Sequence, residues 1–205
     1  MSHYFTNDEG ELETRQITAT IFGTEHQFTT ARGVFSGARL DPGTQLLLDT
    51  IQTQPPEQLT PEATVVDLGS GNGTIVAGLA RSFELGRLIA TDDSASAGLS
   101  TTATLAANGI DGVEVIHQSG MVDLADASVD VVVLNPPFHA GTQLTSDIAF
   151  FLFDEAARTL KPGGVLLTVF NASRHYRPQL QHRVGPTWQL ARDKRFIVTQ
   201  SQKVH

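Results

Sequence analysis

The chain has 205 residues, 40% of them apolar and 18% charged, with a formal net charge of −8. That is about one globular domain with room for a sizeable core. It has no cysteine, which excludes disulfides, cysteine-ligated zinc, iron–sulfur clusters and thiol nucleophiles, and the charge argues against a non-specific nucleic-acid coat.

Gln16-Ile17-Thr18-Ala19-Thr20-Ile21-Phe22 alternates with period two. Gly23-Thr24-Glu25 can turn, and His26-Gln27-Phe28-Thr29-Thr30 continues extended, so a hairpin is predicted. It sets residues 1–38 apart as a hairpin extension from a main domain over 39–205. Asp41 is the candidate N-cap, and Pro42 the first helical residue, of a short helix through Leu46, Leu47, Leu48 and Ile51. Gln54-Pro55-Pro56-Glu57 and Pro61 read as a linker.

From Thr64 strands and helices alternate. The pattern predicts strands at 64–68, 88–91, 113–117, 129–134 and 165–170. Helices are expected at 72–83, 94–108, with Gly109 closing the last, and at 147–160, where Lys161-Pro162-Gly163-Gly164 follows. Pro178–Arg183 can form a short helix. Trp188–Arg192 and Arg195–Gln200, joined by Asp193-Lys194, form a terminal hairpin. Continuous apolar strands alternating with helices predict an α/β fold, a Rossmann-like doubly wound and mostly parallel sheet. No apolar run reaches the roughly 20 residues that span a bilayer, and residues 1–9 lack the features of a secretory signal. A cytoplasmic location without a membrane partner is the expectation.

Asp67-Leu68-Gly69-Ser70-Gly71-Asn72-Gly73 lies between a predicted strand and a predicted helix, the context that gives glycine motifs meaning. A dinucleotide fingerprint would require G-x-G-x-x-G. Counted from Gly69 the last place is Thr74, and from Gly71 it is Val76, so the fingerprint fails. An acid two residues before the first glycine favours a cationic ligand over a diphosphate, although a plain strand-to-helix turn reads the same way. Asp92 ends the next strand, roughly 20 residues on, where an acid can bond ribose hydroxyls; Asp93 follows. Asp92 can equally serve the dipole of the next helix. Gln118-Ser119-Gly120-Met121 follows the third strand.

Leu134-Asn135-Pro136-Pro137-Phe138-His139 closes a buried strand. The Asn135 side-chain carbonyl and the Pro136 main-chain carbonyl are two acceptors for the two N–H groups of a flat amine. The prolines lack N–H groups and restrict the backbone, and Phe138 can stack on a planar substrate. His139 can touch substrate, accept a proton late, or simply pack. Such a loop suits holding an amine before a methyl donor, and it falls where doubly wound folds bind ligands, although a plain turn after a buried strand reads the same way.

From Arg158 onward there are nine basic residues and the single acid Asp193, so this segment is about +8 and the remainder about −16. That asymmetry suits either a polyanionic partner or an ordinary solvated surface.

Together, these motifs resemble the small-domain ("MTS") group of class I S-adenosylmethionine-dependent methyltransferases, and within it the catalytic domain of bacterial rRNA guanine-N2 methyltransferases. Phe28-Thr29-Thr30-Ala31-Arg32-Gly33-Val34-Phe35-Ser36 with Arg39-Leu40-Asp41-Pro42-Gly43-Thr44, the glycine loop, and Asn135-Pro136-Pro137-Phe138-His139 carry the resemblance; Arg195-Phe196-Ile197-Val198 is similar to the family's end. The resemblance implies a seven-stranded sheet with an antiparallel terminal hairpin, S-adenosyl-L-methionine as cofactor, and guanine N2 in rRNA as acceptor. It implies cofactor contacts from Asp67, Gly69, Ser70, Gly71, Asp92, Asp93 and Asn135, and closure over the cofactor by the segment around Phe35, Ser36 and Thr44. The family often has an acid near the adenine after the third strand; Gln118-Ser119-Gly120-Met121 departs from this and leaves adenine contacts to a hydroxyl, backbone amides such as that of Gly120, and Met121. Asn135, Pro136 and Phe138 are the expected catalytic residues, and no metal is expected. The two-domain relatives carry a degenerate copy of the fold before the catalytic one, where this chain has a hairpin. A basic cluster of Arg174, His175, Arg177, Arg183 and Arg195 could partly replace it by contacting the phosphates of rRNA or a ribosomal subunit. Alternatives are N-methylation of a protein glutamine or a small molecule, or a non-catalytic RNA-binding relative.

Overall fold

The computed structural model describes residues 14–31, 34, 40–137 and 143–205. Strands β1 (Thr14–Ile21) and β2 (Thr24–Ala31) pair antiparallel from Thr14 opposite Ala31 to Ile21 opposite Thr24. The loop is therefore Phe22 and Gly23, one residue earlier than expected. Both have positive φ, 51° and 76°, the primed-turn geometry that follows the twist of the strands. The Phe22 ring packs edge-on against Phe83 at 5.9 Å.

Helix α1 (Pro42–Thr53) begins as patterned, with the Asp41 side chain accepting from the Thr44 amide and Pro42 in the first turn. Then come β3 (Thr64–Leu68), α2 (Thr74–Ser82), β4 (Arg87–Asp92), α3 (Ala95–Ala107), β5 (Val113–His117) and β6 (Val129–Leu134). The chain ends with α4 (Gln143–Thr159), β7 (Leu160–Asn171), α5 (Tyr176–Arg183), β8 (Thr187–Arg192) and β9 (Phe196–Gln202). Strand β7 starts earlier than expected. Leu160 pairs with Val129 and Val165 with Val131, so Lys161-Pro162-Gly163-Gly164 bulges within the strand rather than preceding it.

The seven-stranded sheet has the order β5-β4-β3-β6-β7-β9-β8. Strands β5 to β7 are parallel, and β9 and β8 form the antiparallel hairpin at one edge. Both faces are covered, which is why the strands read as continuous apolar runs. Val65, Val131, Val133 and Val165 face α1, α2 and the hairpin, while Val66, Val132, Leu134 and Leu166 face α4 and α5. Each such fully buried side chain contributes about 1.5–3 kcal/mol. From β3 the chain proceeds to β4 and β5 on one side, and β6 lies on the other. The crevice at the carboxyl ends of β3 and β6 is thus a topological switch point.

The N-terminal hairpin belongs to the same core: Ile21 and Phe28 are fully buried among residues of α1 and α2. The free edge of β2 docks on α3 through polar side chains. The amides of Gln27, Thr29 and Ala31 donate to Asn108 Oδ1 at 3.0 Å, Thr104 Oγ1 at 3.0 Å and Ser100 Oγ at 2.9 Å. Four residues of helix advance about 6 Å, nearly the about 6.6 Å of two strand residues, so the two repeats stay matched over these three contacts. The expected boundary between residues 38 and 39 lies outside the described residues. Among the described residues no helix is long and apolar enough to cross a membrane.

Candidate active site

The glycine loop leaves β3 and is tied to β4. The amides of Gly69 and Ser70 donate to the Thr91 carbonyl at 2.8 and 2.9 Å, and the Gly71 amide donates to Asp92 Oδ2 at 2.9 Å. Gly69 and Gly71 have φ of 76° and 57°, which any side chain would strain. Three successive amides are thus engaged inside the protein and cannot cradle a diphosphate.

Asp92 stands on the cavity wall. Its Oδ1 accepts from the Ser94 amide at 2.9 Å, and burial pushes its carboxyl above the usual range although both amide bonds oppose this. Each oxygen keeps a lone pair for a ligand hydroxyl. Asp67, expected at the ligand, is instead fully buried behind the loop and does not reach the wall. Its Oδ2 accepts from the Val76 amide at 3.0 Å, joining β3 to the first turn of α2. Its Oδ1 has no partner among the described residues. Burial raises this carboxyl to about 7, against the Val76 bond and with a smaller push from Asp92.

The loops meet in a cavity of about 430 Å³, within the range of small-molecule sites. Gly69, Ser70, Gly71, Asp92, Asp93, Gly120, Asn135 and Pro136 all line it. Met121 does not. Its side chain is fully buried in the core under α4, and its amide donates to Glu155 Oε2 at 3.1 Å. An apolar, adaptable thioether fills that interior, and the chain turns away from the cavity after Gly120. Phe138 and His139 lie outside the described residues, as do Phe35, Ser36 and Arg39.

The far wall, Ile148, Phe151 and Leu152 of α4, escaped the sequence reading. Their spacing is that of any core-facing helical stripe. Yet Ile148 and Phe151 remain 40% exposed, and a Cβ on Gly120 would come within 3.0 Å of the Phe151 ring. Thr44 reaches the cavity as well, 24 residues before the glycine-loop strand ends.

Asn135 sits at the end of β6. Its Nδ2 donates to Thr44 Oγ1 at 2.8 Å and Asp41 Oδ2 at 3.2 Å. Its Oδ1 is buried without a partner among the described residues. An unmet buried acceptor is costly, and here it belongs to a residue on the wall of a ligand-sized cavity. At one end of that cavity stand an acid suited to vicinal hydroxyls and a mostly apolar slot beside Gly120. Asn135 lines the same cavity with an amine acceptor. A nucleoside cofactor matches Asp92 and the slot beside Gly120, and a flat amine matches Asn135.

The basic tail divides in two. Arg158 pairs with Glu155 and Asp126, Lys161 with Asp130, and Arg183 with Asp154; Arg177 donates to the Thr187 carbonyl. Lys203 Nζ donates to the Ala157 carbonyl at 2.7 Å, and these five hold the protein together. Arg192, Lys194 and Arg195 are exposed at the tip of the β8–β9 hairpin, and Arg174 and His175 follow β7. The Ala172 amide donates to the Arg195 carbonyl at 2.7 Å, so this group gathers at the carboxyl end of the sheet, where the cavity opens.

A seven-stranded sheet in this order, an antiparallel terminal hairpin and a cavity at the switch point define a Rossmann-like methyltransferase fold. The chain belongs to the Methyltransferase small domain family, whose sequence model matches residues 25–200. It is 37% identical over 179 residues to ribosomal RNA small subunit methyltransferase C of Pseudomonas aeruginosa, covering 87% of this chain and 52% of that protein. It is 36% identical over 172 residues to ribosomal RNA large subunit methyltransferase G of Streptomyces coelicolor, covering 83% and 44%. The structure of the T. thermophilus 16S rRNA N2 methyltransferase RsmC, in complex with AdoMet and guanosine, superposes with a TM-score of 0.83 at 30% identity. That match covers 94% of this chain and 51% of that one. The chain thus spans about half the length of the relatives it matches.

Proposed function

We propose that this chain is an S-adenosyl-L-methionine-dependent N-methyltransferase acting on the exocyclic N2 amine of guanine in rRNA. The observation that carries this reading is Asn135, which lines the same cavity as Asp92 and the glycine loop and whose buried Oδ1 has no partner among the described residues. The T. thermophilus relative, solved with AdoMet and guanosine, supports it.

When bound, the cofactor supplies an electrophilic methyl on a sulfonium. Asp92 would accept from the ribose hydroxyls, and Ser119, Gly120 and Phe151, which line the same cavity, would hold the adenine. Asn135 Oδ1 and the Pro136 carbonyl would each accept one N–H of the amine, which favours a pyramidal nitrogen and localises its delocalised lone pair toward the methyl. The part of Asn135 and Pro136 is to hold the nitrogen with its lone pair toward that methyl; the surplus proton of the methylated nitrogen would pass to solvent. No strong base is required. Proximity and alignment alone can supply several kcal/mol, up to about 7–11.

Rim residues Arg174, His175, Lys194 and Arg195 hold RNA phosphates, which position the substrate without reading its sequence. The natural setting is the cytoplasm, where ribosomal subunits are found. Residues 1–38 act as a hairpin extension of the methyltransferase domain, 39–205.

The test is methyl transfer from labelled S-adenosylmethionine to ribosomal subunits, to release factors and to a small-molecule panel, with nucleoside mass spectrometry of the RNA. Appearance of N2-methylguanosine is expected. Labelled glutamine with unlabelled RNA would overturn the reading. Asn135→Ala should retain cofactor binding and lose transfer.

A further inference from the structure

Asn135 is gripped from one side. Both N–H bonds of its carboxamide point to α1 and the residue before it, 91 and 94 positions earlier in the chain. A carboxylate only accepts hydrogen bonds, so the atom facing Asp41 is the amide nitrogen and the oxygen faces away. Turning the group by 180° would set Asn135 Oδ1 against Asp41 Oδ2, acceptor against acceptor. It would also leave an N–H donor in the cavity, opposed to the N–H groups of an amine.

The clamp is itself fixed. Asp41 Oδ2 also accepts from the Thr44 amide at 2.8 Å, so one oxygen starts α1 and orients Asn135. Helix α1 is anchored in the core by Leu47, Leu48 and Ile51. A Cβ on Gly43 would lie 3.0 Å from Asp41 Oδ2 and 3.1 Å from the Phe196 ring. The absence of that side chain lets carboxylate and ring close on the turn from opposite sides.

We infer that Asp41 is a positioning residue for methyl transfer: it selects the one Asn135 rotamer that offers an acceptor to the amine, with Thr44 as second anchor. The inference rests on the reading of Asn135 given above. It predicts that any acceptor held at position 41 keeps the rotamer. In Asn135→Asp two carboxylates meet, and one must take a proton or turn away. In Asp41→Asn the carboxamide oxygen takes the place of Asp41 Oδ2 and still accepts from the Thr44 amide and from Asn135 Nδ2. Asn caps a helix as well as Asp does, so α1 keeps its start.

Two measurements on the full chain test this. The first is kcat and KM on the RNA substrate, with cofactor affinity by calorimetry. Asp41→Ala and Asn135→Asp should each lower kcat about 10- to 100-fold while the cofactor Kd stays within about threefold, and Asp41→Asn should keep kcat within about threefold of wild type. An Asp41→Ala variant as fast as wild type, or an Asp41→Asn variant as slow as Asp41→Ala, overturns the inference. The second is hydrogen exchange of the Asn135 side-chain NH₂ by NMR, which needs neither RNA nor cofactor. Protection should be lost in Asp41→Ala and kept in Asp41→Asn; equal protection in Asp41→Ala overturns the inference. If the wild-type chain methylates no RNA, the functional reading fails, and the exchange result still decides the role of Asp41.

Discussion

The Gly71 amide donates to Asp92 Oδ2 at 2.9 Å, across 21 residues of chain. The turn that ends β3 and the acid that ends β4 are therefore a single unit. A ligand held by Asp92 also feels the conformation of the loop, because the same carboxylate sets both.

Asp92→Ala should therefore cost more than one ligand contact. We expect the S-adenosylmethionine Kd to rise about 100-fold or more, the equivalent of about two charged hydrogen bonds. Asp92→Asn should recover part of this, since a carboxamide offers one accepting oxygen where the carboxylate offers two. Calorimetry decides, and binding of Asp92→Ala near the wild-type value would remove Asp92 from the ligand.

Phe151 closes the apolar end of the cavity over Gly120. Phe151→Ala should weaken cofactor binding about 10-fold and leave kcat at saturation nearly unchanged, because the lost contact is uniform along the reaction. Gly120→Ala should be worse, since it adds a side chain at φ 62° and 3.0 Å from that ring. Equal affinities for Phe151→Ala and wild type would place the adenine elsewhere.

Asp67 gives stability a pH dependence. Its folded-state carboxyl titrates at about 7 against an ordinary 3.8. Between those values the folded chain holds a proton that the unfolded chain has lost. Stability from this group is complete below about pH 4 and declines as pH rises toward 7, by up to about 4 kcal/mol. Urea denaturation of the ligand-free chain at pH 5 and pH 8 should show this loss. Asp67→Asn should flatten it, while its oxygen still accepts from Val76. An unchanged slope in that variant would assign the effect elsewhere.

The division of the basic tail predicts two classes of variant. Lys194→Ala and Arg195→Ala should weaken RNA binding about uniformly across sequences and reduce the salt slope by about 1 each. Arg183→Ala and Arg158→Ala should lower thermal stability, because each leaves an acid without its partner. Filter-binding titrations at several salt concentrations, alongside melting curves, separate the classes.

Where local rules decide, the sequence was readable. Glycines between a strand and a helix, an acid ending the next strand and an Asn-Pro-Pro after a third strand are short-range patterns. All three converge because parallel strands end on the same side of a sheet. Burial is different. Whether Asp67 and Met121 look into the cavity or the core depends on the direction of one turn, and the residue types do not encode it. Phe151 was invisible because an aromatic at helical spacing is normally core, and only the tertiary position of α4 brings it to the cavity. The Lys161–Gly164 bulge was read as a loop because its Pro-Gly-Gly chemistry is that of a turn. The bonds from Asn135 to Asp41 and Thr44 join residues more than 90 positions apart, a distance at which pattern carries nothing.

The matched repeats of β2 and α3 set a lower limit on how small a working unit of this architecture can be. Cutting the chain after the hairpin would bare the apolar surface of α1 and α2 that Ile21 and Phe28 cover, and would take the partners from Ser100, Thr104 and Asn108 on a helix that also borders the glycine loop through Ser70 and Thr101. A shortened protein designed from this scaffold must therefore carry the hairpin along, or replace the apolar residues beneath it with side chains suited to water. Inserting one residue into either repeat would put the two out of phase, so a length change here keeps the match only as two strand residues with four helix residues.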